Sequence, residues 1–160
     1  MNGTLEAPRL LLTPALPEEI IARFEAVGGF PPEVSPTWIE KLHAARGPDP
    51  WVLGYDVVHR ASQSVIGSAA FKGPPGADGI VEIAYGIDAN FQRQGYATEA
   101  AERLVTFALA DPRVRLVCAH TLPGAEASPR VLEKCGFTRV ADVVDPEDGP
   151  VWRFEKARLV

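Results

Sequence analysis

No run of apolar residues in this 160-residue chain is long enough to cross a bilayer. Leu10-Leu11-Leu12 is far too short, and no basic region followed by an apolar stretch opens the chain, so neither a membrane span nor a secretory signal is expected. Cysteine is scarce. Cys118 and Cys135 cannot build a disulfide framework, and neither has the spacing of a metal ligand, which points to a cytoplasmic, reduced protein without a metal. An excess of positive charge is also missing: 16 Lys and Arg stand against 21 Asp and Glu, a net charge of −5. Nucleic-acid binding rests on neutralising phosphates with cations, so nucleic acid is not expected as a main partner. A negative surface is compatible with a cationic substrate such as an amine. Repeats and low-complexity linkers are absent, and 46% hydrophobic with 23% charged residues is the composition of one soluble domain over residues 1–160.

What is present is a readable order of elements. Residues 9–13 read as a strand. Leu16, Ile20, Ile21, Phe24 and Val27 fall on one helical face over 17–27, which Gly28-Gly29 ends. Ser35-Pro36 supplies a cap and a first-turn proline for a helix over 37–46. Three strands follow, over 51–59, 64–71 and 80–87. The next helix carries Ala97, Ala101, Leu104, Val105 and Ala108 on one stripe. A strand over 115–121, a helix capped by Ser128-Pro129, and closing strands over 138–144 and 151–156 complete the chain. This order predicts a mixed, mostly antiparallel α/β (α+β) sheet of about seven strands with four helices.

The densest information lies in residues 81–101. A strand runs into a short turn, and the turn opens a helix. The first N–H groups of a helix have no partner inside it and carry the positive end of its dipole. Small residues there let those donors approach a pyrophosphate. Gln92, Gly95 and Ala97 stand where such a loop needs them, which places the candidate donors at Arg93, Gln94, Gly95, Tyr96, Ala97 and Thr98. The bland alternative is an ordinary turn that packs a helix on a sheet.

The spacing Gln-x-x-Gly-x-Ala, with the strand before it and Ala97-Thr98-Glu99-Ala100 after it, resembles the acyl-CoA loop of the GNAT N-acetyltransferases. The element order is similar too. Pro8-Arg9-Leu10-Leu11-Leu12-Thr13-Pro14, the segment from Ser128-Pro129-Arg130 to Cys135-Gly136-Phe137, and Gly149-Pro150-Val151-Trp152-Arg153 resemble the branch that acetylates ribosomal-protein N-termini, the RimJ/RimL type. The resemblance implies acetyl-CoA as co-substrate and direct attack by an amine, from a protein N-terminus or a small molecule such as an antibiotic or polyamine, while both substrates are bound. It also implies that the strand over 80–87 splays from its neighbour and offers backbone at Tyr85, Gly86 and Ile87 to the pantetheine arm. Two positions depart from the pattern. Ala125 stands where the branch often has Asn, and Leu132 where many relatives carry a tyrosine acid.

Three steps need catalysis: amine deprotonation, oxyanion stabilisation and protonation of the leaving thiolate. An α-amine has an unperturbed pKa of about 7.7–8.0 and a lysine about 10.4, so a base is required. Glu82 is a carboxylate on the strand face that also carries the small residues Ala84 and Gly86; either it is the base, or it pairs with an arginine or lies at the solvent edge. His120, at a strand end, is the other candidate base or a hydrogen-bonded structural histidine. Backbone near Gly86 is the candidate oxyanion donor. By resemblance Ser128 is the candidate proton donor to the thiolate; as Ser-Pro it also reads as a cap. His43 and His59 read as structural. A non-catalytic acyl-CoA sensor and a doubly wound nucleotide-binding fold are the rival readings. The chain is expected to be a monomer or a homodimer, with Trp38 and Trp152 open to core, pocket or interface roles.

Overall fold

A computed structural model describes residues 3–122, 127–146 and 149–158. Alternating burial sets the strands. They are β1 (Leu5–Glu6), β2 (Leu10–Pro14), β3 (Tyr55–His59), β4 (Ser64–Phe71), β5 (Ile80–Ile87), β6 (Leu116–Thr121), β7 (Thr138–Asp145) and β8 (Gly149–Ala157). The helices are α1 (Pro17–Ala26), α2 (Pro36–Ala44), α3 (Tyr96–Ala110) and α4 (Ala127–Lys134). The strands form one sheet in the order β1-β2-β3-β4-β5-β6-β8-β7. Among the described residues only β5 and β6 pair in parallel, which excludes the doubly wound alternative.

The sheet is the expected mixed, mostly antiparallel one, with the short strand β1 added at its edge, whose two residues are too few to leave a periodic signal. Two expectations need correction. Residues 51–54 are a turn, not the start of β3. The Asp49 carboxylate accepts from the Trp51 and Val52 N–H groups at 3.0 and 3.2 Å, and the Asp49 carbonyl accepts from Leu53 N–H at 2.7 Å. Local Asx bonding thus overrides an apolar run. Finally, α4 begins at Ala127, so Ser128 lies within its first turn rather than at its cap. Ser35 does cap α2, its Oγ accepting from Trp38 N–H at 3.4 Å.

One sheet face packs on α3. Leu10, Leu12, Val57, Ile66, Val81 and Ile83 meet Ala100, Ala101, Leu104 and Ala108 there. Each fully buried large aliphatic side chain contributes about 1.5–3 kcal/mol. A second cluster, Ala15, Ile20, Leu42 and Leu53, holds α1 and α2. Trp38 belongs to it: its ring meets Phe24 edge-on and its Nε1–H donates to the Val52 carbonyl at 2.8 Å.

The sheet opens in the middle. Strands β5 and β6 pair only at Ile80–Leu116, Val81–Val117 and Glu82–Cys118, although β5 continues to Ile87 and β6 to Thr121. Beyond Glu82 they part. On its other side β5 stays in continuous register with β4, from Phe71–Ile83 to Gly67–Ile87, so Gly86 marks no bulge. Lys72 N–H donates to the Glu82 carbonyl and Asp88 N–H to that of Ile66, at 2.9 and 2.7 Å. These bonds fix the parity of the ladder. Even-numbered residues of β5 turn their main-chain groups toward β4, and Ile83, Tyr85 and Ile87 turn theirs into the gap.

Candidate functional site

The gap continues into a cavity of about 780 Å³. Its floor is Tyr85, Gly86 and Ile87, its near wall is the loop and first turn of α3, and its far wall is α4 with Ser128, Arg130, Val131 and Lys134. Phe91, Gln92, Arg93, Gly95, Tyr96, Ala97 and Thr98 complete the lining. A shallower hollow of about 360 Å³ lies against Gly67, Ser68, Gly86, Ile87 and Asp88. The two recesses share Gly86 and Ile87, so the splayed backbone is approached from two directions. A Cβ at Gly67 would collide with the Gly86 carbonyl oxygen, so the close approach of β4 and β5 beside the gap needs that glycine.

The loop is held in shape by its own residues and by Arg9. Gln92 Nε2–H donates to the Ile87 carbonyl at 2.8 Å and ties the loop to β5. Arg93 and Gly95 take left-handed φ values of 63° and 85°. Gly95 is the N-cap of α3 and turns the chain into the helix. Behind the loop, the Arg9 Nη1–H donates to the Gln94 carbonyl at 2.9 Å, and Arg9 N–H and Nε–H donate to the Glu99 carboxylate at 2.6 and 2.9 Å. The Arg9 guanidinium lies 4.4 Å from the centre of the Tyr96 ring. The Tyr96 hydroxyl shares a hydrogen bond with His59 Nε2 at 3.0 Å, which makes His59 a structural residue as expected.

Several expected site residues therefore act differently from the simplest expectation. The Tyr96 side chain is buried, leaving its main chain to face the cavity. Gln94 does not line the cavity, and its carbonyl is occupied by Arg9. The Gln92 amide is a brace between loop and strand. Gly86 turns its N–H toward β4, so the main-chain donors facing the gap belong to Tyr85 and Ile87. Arg9, Arg130 and Lys134 were not singled out. The i, i+4 spacing of Arg130 and Lys134 after Ser128-Pro129 was their available signal.

Glu82 and His120 meet where β5 and β6 part, outside the cavity lining. His120 Nδ1–H donates to Glu82 Oε2 at 2.9 Å, and Lys72 Nζ lies 3.1 Å from the same oxygen. Glu82 is thus paired, with a lysine and an imidazole rather than an arginine. Both side chains are about four-fifths buried, at 22% and 19% exposure. With Nδ1 engaged by Glu82, the imidazole Nε2 has no hydrogen-bond partner among the described residues. Arg153 and Glu155 continue the polar row along β8, joined at 2.8 Å. Cys118 and Cys135 are buried, and burial pushes each thiol up to about 11, which excludes a nucleophilic role near neutral pH. Among the described residues no cluster of three His, Cys, Asp or Glu could hold a metal ion. Nor is any helix among them long and apolar enough to cross a membrane.

Leu132, where a tyrosine acid would stand, is 1% exposed and belongs to the core. Ala125 lies outside the described residues. Tyr85, on β5, packs its ring on the core and lines the same cavity as Ser128. Burial raises the Tyr85 phenol above its ordinary range.

Residues 7–138 match the family described as acetyltransferase (GNAT) domain. The chain belongs to the GNAT acetyltransferases. Over 97 residues it is 30% identical to an uncharacterized N-acetyltransferase of Bacillus subtilis (strain 168), YjdG, a match covering 61% of this chain and 55% of the relative's length. The chain therefore spans about half the length of that curated relative. Its fold is similar to that of RimL, a ribosomal-protein alpha-N-acetyltransferase solved with coenzyme A. That similarity has a TM-score of 0.71 at 16% identity, over 96% of this chain and 97% of the other. A putative ribosomal-protein-serine acetyltransferase from Vibrio cholerae gives a TM-score of 0.70 at 18% identity, over 97% of each chain. The mixed sheet with four helices is the GNAT fold.

Proposed function

We propose that the protein moves an acetyl group from acetyl-CoA to a primary amine, by direct attack while both substrates are bound. The observation that carries this reading is the junction of the β5–β6 gap with the N-terminus of α3 in a single cavity. The residues fit the group. Free N–H groups at the start of α3 and the side chains of Arg93, Arg130 and Lys134 would hold the phosphates of coenzyme A. Main-chain groups of Tyr85 and Ile87 would hold the pantetheine arm and place an N–H at the acetyl oxygen. When bound, the co-substrate supplies an activated thioester.

On the opposite sheet face, the Glu82–His120 pair would take the proton from the incoming amine. Small residues Ala84 and Gly86 leave room for that approach beside the strand. Ser128 and Tyr85 lie on the α4 side, where the sulfur would leave. The acceptor we favour is the α-amine of a protein N-terminus, by likeness to the ribosomal-protein branch, with a small amine as the other candidate.

The test pairs calorimetry with thiol release. Coenzyme A should bind, and acetyl-CoA should yield free thiol with at least one of a peptide bearing an unblocked N-terminal alanine, spermidine or an aminoglycoside. Binding without thiol release for every amine would make the protein a sensor; no binding would remove the reading altogether.

A further inference from the structure

Among the described residues lining the cavity, the hydroxyl-bearing side chains are Tyr85, Tyr96, Thr98 and Ser128. Tyr96 is excluded as a donor to a ligand, because its hydroxyl is bound to His59 and its ring is buried under Arg9. Thr98 lies in the first turn of α3, at the phosphate end of the cavity. Tyr85 and Ser128 remain. They line the cavity from β5 and α4, and Tyr85 does so on the sheet face opposite Glu82 and its partner His120, because Tyr85 and Glu82 alternate along β5. A thioester lying in the gap would have its proton acceptor on one side of the sheet and this hydroxyl pair on the other.

We infer that Tyr85 is the residue that receives the departing sulfur, its phenol donating a hydrogen bond to the coenzyme A thiolate, with the Ser128 hydroxyl as a second donor from the far wall of the same cavity. This rests on the acetyl-CoA reading above. The step balances as follows. The amine nitrogen gives its proton to the Glu82–His120 pair and its lone pair to the acetyl carbon; the C–N bond forms, the C–S bond breaks, and sulfur leaves with the bonding electrons. The thiolate is then a full negative charge in a partly dry site, where a charge-assisted hydrogen bond is strongest. Because burial raises the phenol, Tyr85 keeps its own proton at working pH and acts as a donor, not as a proton source. Solvent returns the final proton to sulfur after the product amide departs. The chain thus supplies from β5 what Leu132 cannot supply from α4.

The experiment uses the full chain, coenzyme A as the probe, and the variants Tyr85→Phe and Ser128→Ala. Bound coenzyme A is titrated by the ultraviolet absorbance of its thiolate. A hydrogen bond to a charged acceptor lowers the thiol pKa by about one unit or more, so Tyr85→Phe should raise the bound thiol toward the free value of roughly 8.5. Ser128→Ala should shift it in the same direction by less. Calorimetry should give nearly unchanged coenzyme A affinity at neutral pH, where the thiol is protonated. If an acceptor is in hand, Tyr85→Phe should lower kcat by roughly 10²-fold with little change in KM for acetyl-CoA. Identical thiol titrations in wild type and Tyr85→Phe would overturn the inference. Failure of the wild type to bind coenzyme A at all would sink the acetyl-CoA reading instead.

Discussion

Glu82 and His120 look like competing bases in the sequence and turn out to be one hydrogen-bonded unit. The division of labour follows from the partners. The carboxylate oxygen is held by Lys72 and by the imidazole, while the other imidazole nitrogen has no hydrogen-bond partner among the described residues. Residues that act as a unit are not additive. Glu82→Gln should lower turnover by roughly 10²-fold, the lower end for loss of acid–base catalysis. His120→Gln should do at least as much, and the double variant should be no worse than the poorer single. Steady-state rates with acetyl-CoA and the best acceptor measure this. A wild-type rate in Glu82→Gln would move the base to His120 alone or to a water chain, and multiplicative losses would show two independent roles.

The loop between β5 and α3 was legible because its cause is local. Glycine must sit where φ is positive, a helix must begin with unpaired N–H groups, and both are written within a few residues of Gly95. Strand β5 was legible over its whole length for the same reason, since alternation of Val81, Ile83, Tyr85 and Ile87 is a local pattern. What could not be read depends on distant residues meeting. Arg9 reaches the loop from 85 positions away in the chain. Gly67 is required by the Gly86 carbonyl on the next strand, and Tyr85 and Ser128 come to line one cavity from β5 and α4.

Arg9 also changes the reason for the glycine. A Cβ at Gly95 would lie 3.0 Å from the Arg9 guanidinium, behind the loop, rather than against a phosphate in front. Gly95→Val should therefore lose coenzyme A affinity through a strained loop and a displaced arginine, while Gly95→Asn, whose residue type tolerates the left-handed region, should keep more of it. Arg9→Ala should weaken binding by about tenfold, the equivalent of one charge-assisted hydrogen bond of about 1.4 kcal/mol. Calorimetry with coenzyme A checks all three, and equal affinities for the Val and Asn variants would reject the backbone argument.

At the scale of the whole molecule, the same sheet must stay open on one side of β5 and closed on the other. The closed end is the last rung of the parallel pair, Glu82–Cys118, and Cys118 is 2% exposed there. Cys135 is equally enclosed at the end of α4. Folding keeps both thiols protonated to about 11, against an ordinary value of 9.0 in the open chain, chiefly through burial. The folded value is raised, so the sign is fixed. Below about 9 neither state ionises these groups and their contribution is fully present; above it the unfolded chain sheds protons that the folded one retains. Stability should therefore fall as pH rises from about 9 toward 11, by a few kcal/mol at most for the two thiols together. Urea midpoints across that window measure the fall. The double variant Cys118→Ala, Cys135→Ala should start lower, because two buried sulfurs are lost, yet decline less steeply with pH. Parallel declines in the two proteins would mean that the buried thiols do not set the alkaline limit, and would leave the tyrosines, Tyr55 at about 12 among them, to account for it.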